Sequence, residues 1–152
     1  MYCLFPPITV GLTRVAESMR NAHSSIHRSS SDAPDSGFHS ILLVDPDPDP
    51  RDTRRFLLAA LNLPVEAVGC SSEVFGLTPE SDYGLVAINL SVGLSEVSHV
   101  AAYVRQKWPD AKILLLGESC ESLDDPLYDD RVNPFCDPSA FADTSKRLLA
   151  AA

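Results

Sequence analysis

Short, uninterrupted apolar runs separated by helical patterns constrain the fold of this chain more than any other feature of its sequence. Three of these runs contain no polar residue: residues 41–44 (ILLV), 85–88 (LVAI) and 113–116 (ILLL). A strand buried on both faces of a parallel sheet has this continuous pattern, whereas a half-exposed strand alternates between apolar and polar residues. We therefore predict a parallel sheet covered by helices on both faces, which is an α/β fold.

Weaker patterns supply the remaining elements. Two shorter strands are predicted at residues 65–70 and 131–132, and the spacing of apolar residues predicts helices that begin near residues 50, 72, 95 and 138. Connections between parallel strands are right-handed, so the five strands are expected to form a doubly wound sheet in a three-layer sandwich.

Asp–Pro pairs mark the starts of two predicted helices. Asp49 and Asp137 suit the N-cap position, and the proline that follows each of them is tolerated at the first helical position. In the first of these helices, helical spacing places four apolar residues on one stripe: Phe56, Leu57, Ala60 and Leu61. We expect this stripe to face the core.

The composition changes near residue 40. Residues 24–40 read SSIHRSSSDAPDSGFHS, which offers too little apolar surface to offset the entropy lost on ordering. The sequence therefore predicts a flexible leader and linker over residues 1–39 and one domain over residues 40–152.

The chain is acidic, with 12 Lys and Arg residues against 21 Asp and Glu residues and a formal net charge of −9. This balance argues against nucleic acid as a partner, because binding there depends on Lys and Arg neutralising phosphates. It argues equally against an anionic membrane surface, and no apolar run approaches the ~20 residues of a membrane span.

The cysteines are scattered along the chain and form no C-x-x-C pair: Cys3, Cys70, Cys120 and Cys136. This scatter is not typical of a disulfide framework or of a structural metal site. We predict reduced thiols in the cytoplasm and no cofactor.

Several polar residues follow the predicted strands directly, at Asp45 with Asp47, Asn89, Gly117 with Glu118, and Asn133 with Pro134. In a doubly wound sheet the ligand crevice lies at the carboxyl ends of the strands. These strand ends are therefore the candidate site.

The series of strand ends resembles the receiver domain of two-component response regulators, which has a flavodoxin-like fold. The resemblance covers residues 41–151 and rests on four segments: LLVD at 42–45, LVAINLS at 85–91, ILLLGES at 113–119 and NPFCDPSAFADTSKRLL at 133–149. In that family an aspartate at the end of the third strand takes a phosphoryl group, with Mg²⁺ held by neighbouring carboxylates. The resemblance also implies a cis bond before Pro134 and a core position for Phe135.

The chain departs from that family at four of its five active positions. Asn89 stands where the phosphoacceptor aspartate is expected, and Pro46 replaces the second member of the acidic pair, of which Asp45 is the first. Gly117 replaces a hydroxyl residue, and Asn133 replaces a lysine. An amide cannot form an acyl phosphate, so the resemblance implies a degenerate pocket that is not phosphorylated.

A weak Mg²⁺ site is one alternative for this pocket. Asp45 and Asp47 could supply carboxylate oxygens and Asn89 an amide oxygen, which are ligands that Mg²⁺ accepts. The other interpretation, which we favour, is that these aspartates are turn and capping residues.

The segment between the fourth and fifth predicted strands is strongly acidic, and its acidic residues are the candidate partner surface: Glu118, Glu121, Asp124, Asp125, Asp129 and Asp130. Receivers commonly signal and dimerise there, so the resemblance implies a signalling protein partner, with a basic surface, or a homodimer. A solvated acidic loop is the alternative.

The sequence as a whole therefore predicts a pseudo-receiver that is not an enzyme and that acts through protein contacts in signal transduction. The last predicted helix runs almost to Ala152, and no output domain is expected after it. Two other functions stay open: a receiver phosphorylated at an unconventional residue, and a flavodoxin-like binder of a small ligand. The latter is disfavoured because prolines, rather than a glycine-rich phosphate loop, follow the first strand.

Overall fold

The structure of the chain is a computed structural model that describes residues 39–78, 80–118 and 126–152. Its elements are β1 (Ser40–Val44), α1 (Pro48–Ala59), β2 (Val65–Val68), α2 (Ser71–Phe75), β3 (Tyr83–Asn89), α3 (Leu94–Lys107), β4 (Lys112–Leu116), β5 (Asp130–Val132) and α4 (Pro138–Leu149). A short 3-10 turn, Leu90–Val92, joins β3 to α3. Except for His39, the predicted leader lies outside the described residues.

All five strands are parallel and lie in the order β2-β1-β3-β4-β5. The fold class predicted from the sequence is confirmed: a doubly wound five-stranded sheet in a flavodoxin-like, three-layer sandwich. None of the helices in the described ranges is long and apolar enough to cross a membrane.

Each central strand contributes to two cores because successive side chains point to opposite faces of the sheet. On one face Leu42 and Val44 of β1 belong to a core that includes residues of α2 and α3. On the other face Ile41 and Leu43 belong to a core that includes Leu58 of α1 and residues of α4. This double burial explains why the strands have no polar alternation.

Helix α1 differs from its sequence-based prediction in start and orientation. It begins at Pro48 rather than Pro50, with Asp47 at the N-cap position. Both prolines are tolerated because the first turn of a helix has no internal partners for its N–H groups. The predicted stripe was wrong at Phe56, which is 77% exposed, and at Ala60, which is exposed as well. The buried residues of α1 are Arg54 and Leu58, one helical turn apart.

An aromatic cluster lies at the amino-terminal ends of the parallel strands. The ring of Trp108 meets Tyr83 edge-on with centroids 4.8 Å apart, and Tyr103 at 6.0 Å. The Tyr83 hydroxyl donates a hydrogen bond to Glu66. Burial and this hydrogen bond raise the pKa of Tyr83 to about 12.

Candidate functional site

The strand order brings Asp45 and Asn89 together. β1 and β3 are neighbours from which the chain winds in opposite directions, and such a switch point opens a crevice at the carboxyl ends of the strands. Asn89 ends β3 and donates a hydrogen bond from Nδ2 to Asp45 Oδ1 at 2.9 Å. Both side chains are buried, at 5% and 0% exposure.

Asp45 forms a buried ion pair with Arg54, a residue that the sequence interpretation did not include. Arg54 Nη1 donates to Asp45 Oδ2, and the Asp47 backbone N–H donates to Oδ1 at 3.1 Å. Arg54 is only 3% exposed. Arg54 lies one helical turn before the buried Leu58 and therefore shares its face of α1, but no pattern in the sequence indicates that this face is the buried one.

The rest of the Arg54 guanidinium lies against an aromatic ring. Its Cζ atom is 4.7 Å from the centroid of Phe135, a distance suited to a cation–π contact. Its Nη2 atom is buried and has no hydrogen-bond partner within the described residues. A pocket of about 310 Å³ opens beside it, lined by Leu57, Pro134 and Phe135 among others.

Asn89 presents its amide nitrogen, not its oxygen, to Asp45. The oxygen accepts a hydrogen bond from the Ser91 backbone N–H at 3.1 Å. Asp47 is exposed, and its carboxylate accepts from the Ser91 hydroxyl at 3.4 Å. Pro46 follows Asp45 and brings no polar side chain to the pocket.

Gly117, the residue after β4, has a backbone conformation that a side chain would strain. Its φ is +134°, and a Cβ atom there would lie 3.4 Å from the side chain of Leu90. A threonine or serine could not adopt this conformation without strain, so the local backbone itself favours glycine.

Asn133 is engaged away from Asp45 and Asn89. Its Nδ2 donates to Glu118 Oε1 at 2.8 Å and lies 3.3 Å from Cys136 Sγ. The six predicted pocket residues therefore divide. Asp45 and Asn89 form the buried centre, Asp47 is exposed beside them, and Asn133 belongs to a separate polar group.

Comparisons with protein-family profiles and with curated proteins find no match to this sequence. Solved structures do match. The response regulator TrrA of Thermotoga maritima, in complex with Mg²⁺ and BeF, superposes with a TM-score of 0.63 at 23% identity, over 72% of this chain and 98% of that one. A signal receiver domain from Pseudomonas fluorescens gives 0.65 at 15% identity, over 74% and 94%. A complex of the histidine kinase ThkA with TrrA gives 0.62 at 24%, over 73% and 98%. This chain has the fold of a receiver domain.

Within this receiver fold, the turn after β5 differs from the sequence-based expectation. No peptide bond is cis between described residues, so Asn133–Pro134 is trans and the predicted cis bond was wrong. The turn is held instead by Asn133, whose Oδ1 accepts from the Phe135 backbone N–H at 3.0 Å. Phe135 is 70% exposed rather than buried in the core, because its ring covers Arg54. The likeness at this motif is thus weaker than the sequence suggested.

The Mg²⁺ ion that the family resemblance implies does not fit these residues. The described ranges contain no group of three or more His, Cys, Asp and Glu side chains placed to hold a metal ion. The charge of Asp45 is already balanced by Arg54, and the Asn89 amide directs a donor at Asp45.

Three of the acidic residues of the predicted partner surface are described. Asp129 is paired with Arg105, at 2.6 Å between Oδ2 and Nη2, and Asp130 is paired with Arg147. Glu118 is exposed and accepts the hydrogen bond from Asn133. The other three lie outside the described residues: Glu121, Asp124 and Asp125.

Proposed function

We propose that this chain is a receiver-like domain that accepts no phosphoryl group and acts as a protein-interaction module in signal transduction. The observation that carries the proposal is Asn89 at the end of β3, with its amide nitrogen bound to Asp45. An amide has no oxygen nucleophile able to form an acyl phosphate, and here its nitrogen faces the pocket.

Two further positions support the absence of phosphoryl chemistry. Phosphoryl transfer depends on positioned charges that neutralise the group being transferred. Gly117 supplies no hydroxyl, and Asn133 supplies neither a cation nor a hydrogen bond to the pair of Asp45 and Asn89 within the described residues. The pocket therefore has neither the nucleophile nor the lysine of the family that it resembles.

The expected partner is a signalling protein. TrrA, which has the same fold, is seen in complex with the histidine kinase ThkA. We extend this only to the class of partner: a protein of a signalling pathway that recognises a receiver fold. Non-enzymatic action in the cytoplasm belongs to the same proposal.

The test for phosphorylation uses acetyl phosphate with Mg²⁺ on the full chain, followed by intact mass measurement. TrrA treated in parallel is the control for reagent quality. We expect no added mass on this chain and no change in its spectrum with beryllofluoride. A stable, Mg²⁺-dependent adduct at any aspartate would contradict the proposal and favour the alternative of an unconventional phosphoacceptor.

The partner surface is proposed to include Glu118 and the acidic residues that follow it, and to select a basic partner. Asp129 and Asp130 are less available, because arginines of this chain already pair with them.

Changing Glu118, Glu121, Asp124 and Asp125 to their amides should weaken partner capture. A matched control removes the same four charges elsewhere, at Asp52, Glu80, Asp110 and Asp143. Equal loss in both variants would show that only net charge matters. Sedimentation at rising concentration tests for a homodimer.

A further inference from the structure

We propose that Arg54 is a built-in cation: its guanidinium takes the place of a divalent metal ion, and the Asp45 pocket excludes such ions while Arg54 is present. The observation is a fully buried carboxylate paired with an arginine that is 3% exposed. This goes beyond the absence of phosphorylation, because it concerns a cation site and not the acceptor residue.

The charge of Asp45 requires a partner inside the protein. Removing a carboxylate from water is expensive unless an opposite charge and hydrogen bonds replace the lost hydration. Arg54 supplies the charge, while Asn89 and the Asp47 backbone N–H supply hydrogen bonds at 2.9 and 3.1 Å. A divalent ion in the same place would therefore meet a carboxylate that is already neutralised.

The oxygen atoms that could bind a metal ion in this pocket are already engaged in hydrogen bonds. Mg²⁺ binds in near-octahedral geometry through one or two carboxylates and several waters. Asp45 Oδ1 accepts two hydrogen bonds and Oδ2 accepts one from Arg54. A metal ion would have to displace these donors and also approach a guanidinium of like charge.

Arg54 is held in the pocket by more than its ion pair. Its position on α1, one turn before the buried Leu58, directs the side chain inwards. Phe135 covers the guanidinium at 4.7 Å. A planar guanidinium suits this position, because it can donate to a carboxylate and stack on a ring at the same time.

The test is a titration of the full chain with Mn²⁺. Electron paramagnetic resonance measures the free Mn²⁺, and thermal unfolding measures the melting temperature of the same samples. The variants are R54A, R55A, D45N and the double variant D45N/R54A. Arg55 is the neighbouring exposed residue, so R55A matches the charge change of R54A without opening the pocket. We expect no site-specific binding by the wild type or R55A at millimolar Mn²⁺. R54A should bind one Mn²⁺ and melt at a higher temperature with the metal, and D45N/R54A should lose both effects.

Each outcome of this titration either supports or contradicts the proposed role of Arg54. Mn²⁺ binding by the wild type that D45N abolishes would overturn the inference, and so would an R54A variant that folds and binds no metal. If R54A does not fold alone, Mn²⁺ should restore its fold, and failure to do so would show that a metal cannot replace the guanidinium. A phosphoryl adduct would contradict the proposed function, whereas metal binding without an adduct would contradict only this inference.

Discussion

Asn89 and Asp45 fit together because one side chain donates a hydrogen bond and the other accepts it. An aspartate at position 89 would place two acceptors about one hydrogen-bond length apart in a buried site. Introducing the aspartate that receiver domains have at this one position is therefore expected to harm the fold without creating their chemistry.

The first prediction concerns N89D. At pH 7 we expect a loss of about 2 kcal/mol or more in the free energy of unfolding, because a charged hydrogen bond is replaced by repulsion between carboxylates. The loss should shrink in acid, where protonation of the introduced carboxyl group restores a hydrogen-bond donor. Urea unfolding at pH 7 and pH 5 measures it, with N89A as the uncharged control. An equal loss at both pH values would argue against repulsion, and acetyl phosphate should still add no mass.

A second prediction at the scale of the residue concerns Tyr83. Its pKa of about 12 lies above the ordinary 10.0, so the folded state favours the neutral phenol. The stability that it contributes is fully present below pH 10 and is lost as the pH rises to about 12. Between these values the unfolding free energy of the wild type should fall more steeply than that of Y83F. Parallel curves for the two proteins would contradict this assignment.

Prediction of burial from the sequence fails most clearly at Arg54 and Phe135. Composition and periodicity treat an arginine as a surface residue and a phenylalanine as a core residue. The structure reverses both, since Arg54 is buried and Phe135 is 70% exposed. The cause is the buried carboxylate of Asp45, whose need for a counter-charge is a property of the folded pocket and of no single segment.

At the scale of the element, the strands were the most predictable part of the molecule. The continuous apolar runs marked β1, β3 and β4 because burial on two faces leaves no other pattern. Helix α1 was harder to predict, since three Asp–Pro steps follow one another over residues 45–50 and more than one of these aspartates could precede the first turn. The pairing of Asn89 with Asp45 needed the strand order as well.

The third prediction concerns the start of α4. Asp137 caps this helix by accepting from the Ser139 and Ala140 backbone N–H groups at 2.9 and 3.0 Å, as the sequence predicted. The hydrogen bond from the Ala140 backbone and the one from the Ser139 hydroxyl are the main causes that lower the pKa of Asp137. The contribution of Asp137 to stability is therefore present above the ordinary pKa of 3.8 and is lost as the pH falls below it. D137A should melt at a lower temperature than the wild type at pH 7, and the difference should fade in strong acid. The matched control is D143A, within the same helix, which should melt like the wild type.

At the scale of the whole molecule, the sheet and both cores described here lie within residues 40–149. The expected boundary at residue 40 stays a prediction, since residues 1–38 lie outside the described residues. Right-handed crossovers determine the face of the sheet on which each connecting helix packs, so the doubly wound architecture could be predicted from the sequence. The strand order β2-β1-β3-β4-β5 could not, and it is a finding of the structure.

The fourth prediction is that removing residues 1–38 leaves the domain intact. The Ser-rich segment before β1 offers little apolar surface to bury. We expect the free energy of unfolding to change by less than about 1 kcal/mol, which corresponds to a shift of a few degrees at most in a domain of this size. A larger drop would show that the leader packs on the core.

Trp108 is the sole tryptophan of the chain, and it is buried with its ring against Tyr83 and Tyr103. Its fluorescence therefore reports on a single buried place in the domain. It precedes β4 and so lies at the amino-terminal ends of the parallel strands, whereas Asp45 follows β1 at their carboxyl ends. Changes at Arg54 or Asn89 should leave the native emission spectrum unaltered, while unfolding should shift it to longer wavelength. The protein thus contains its own optical probe, distant from the pocket and free of any attached dye.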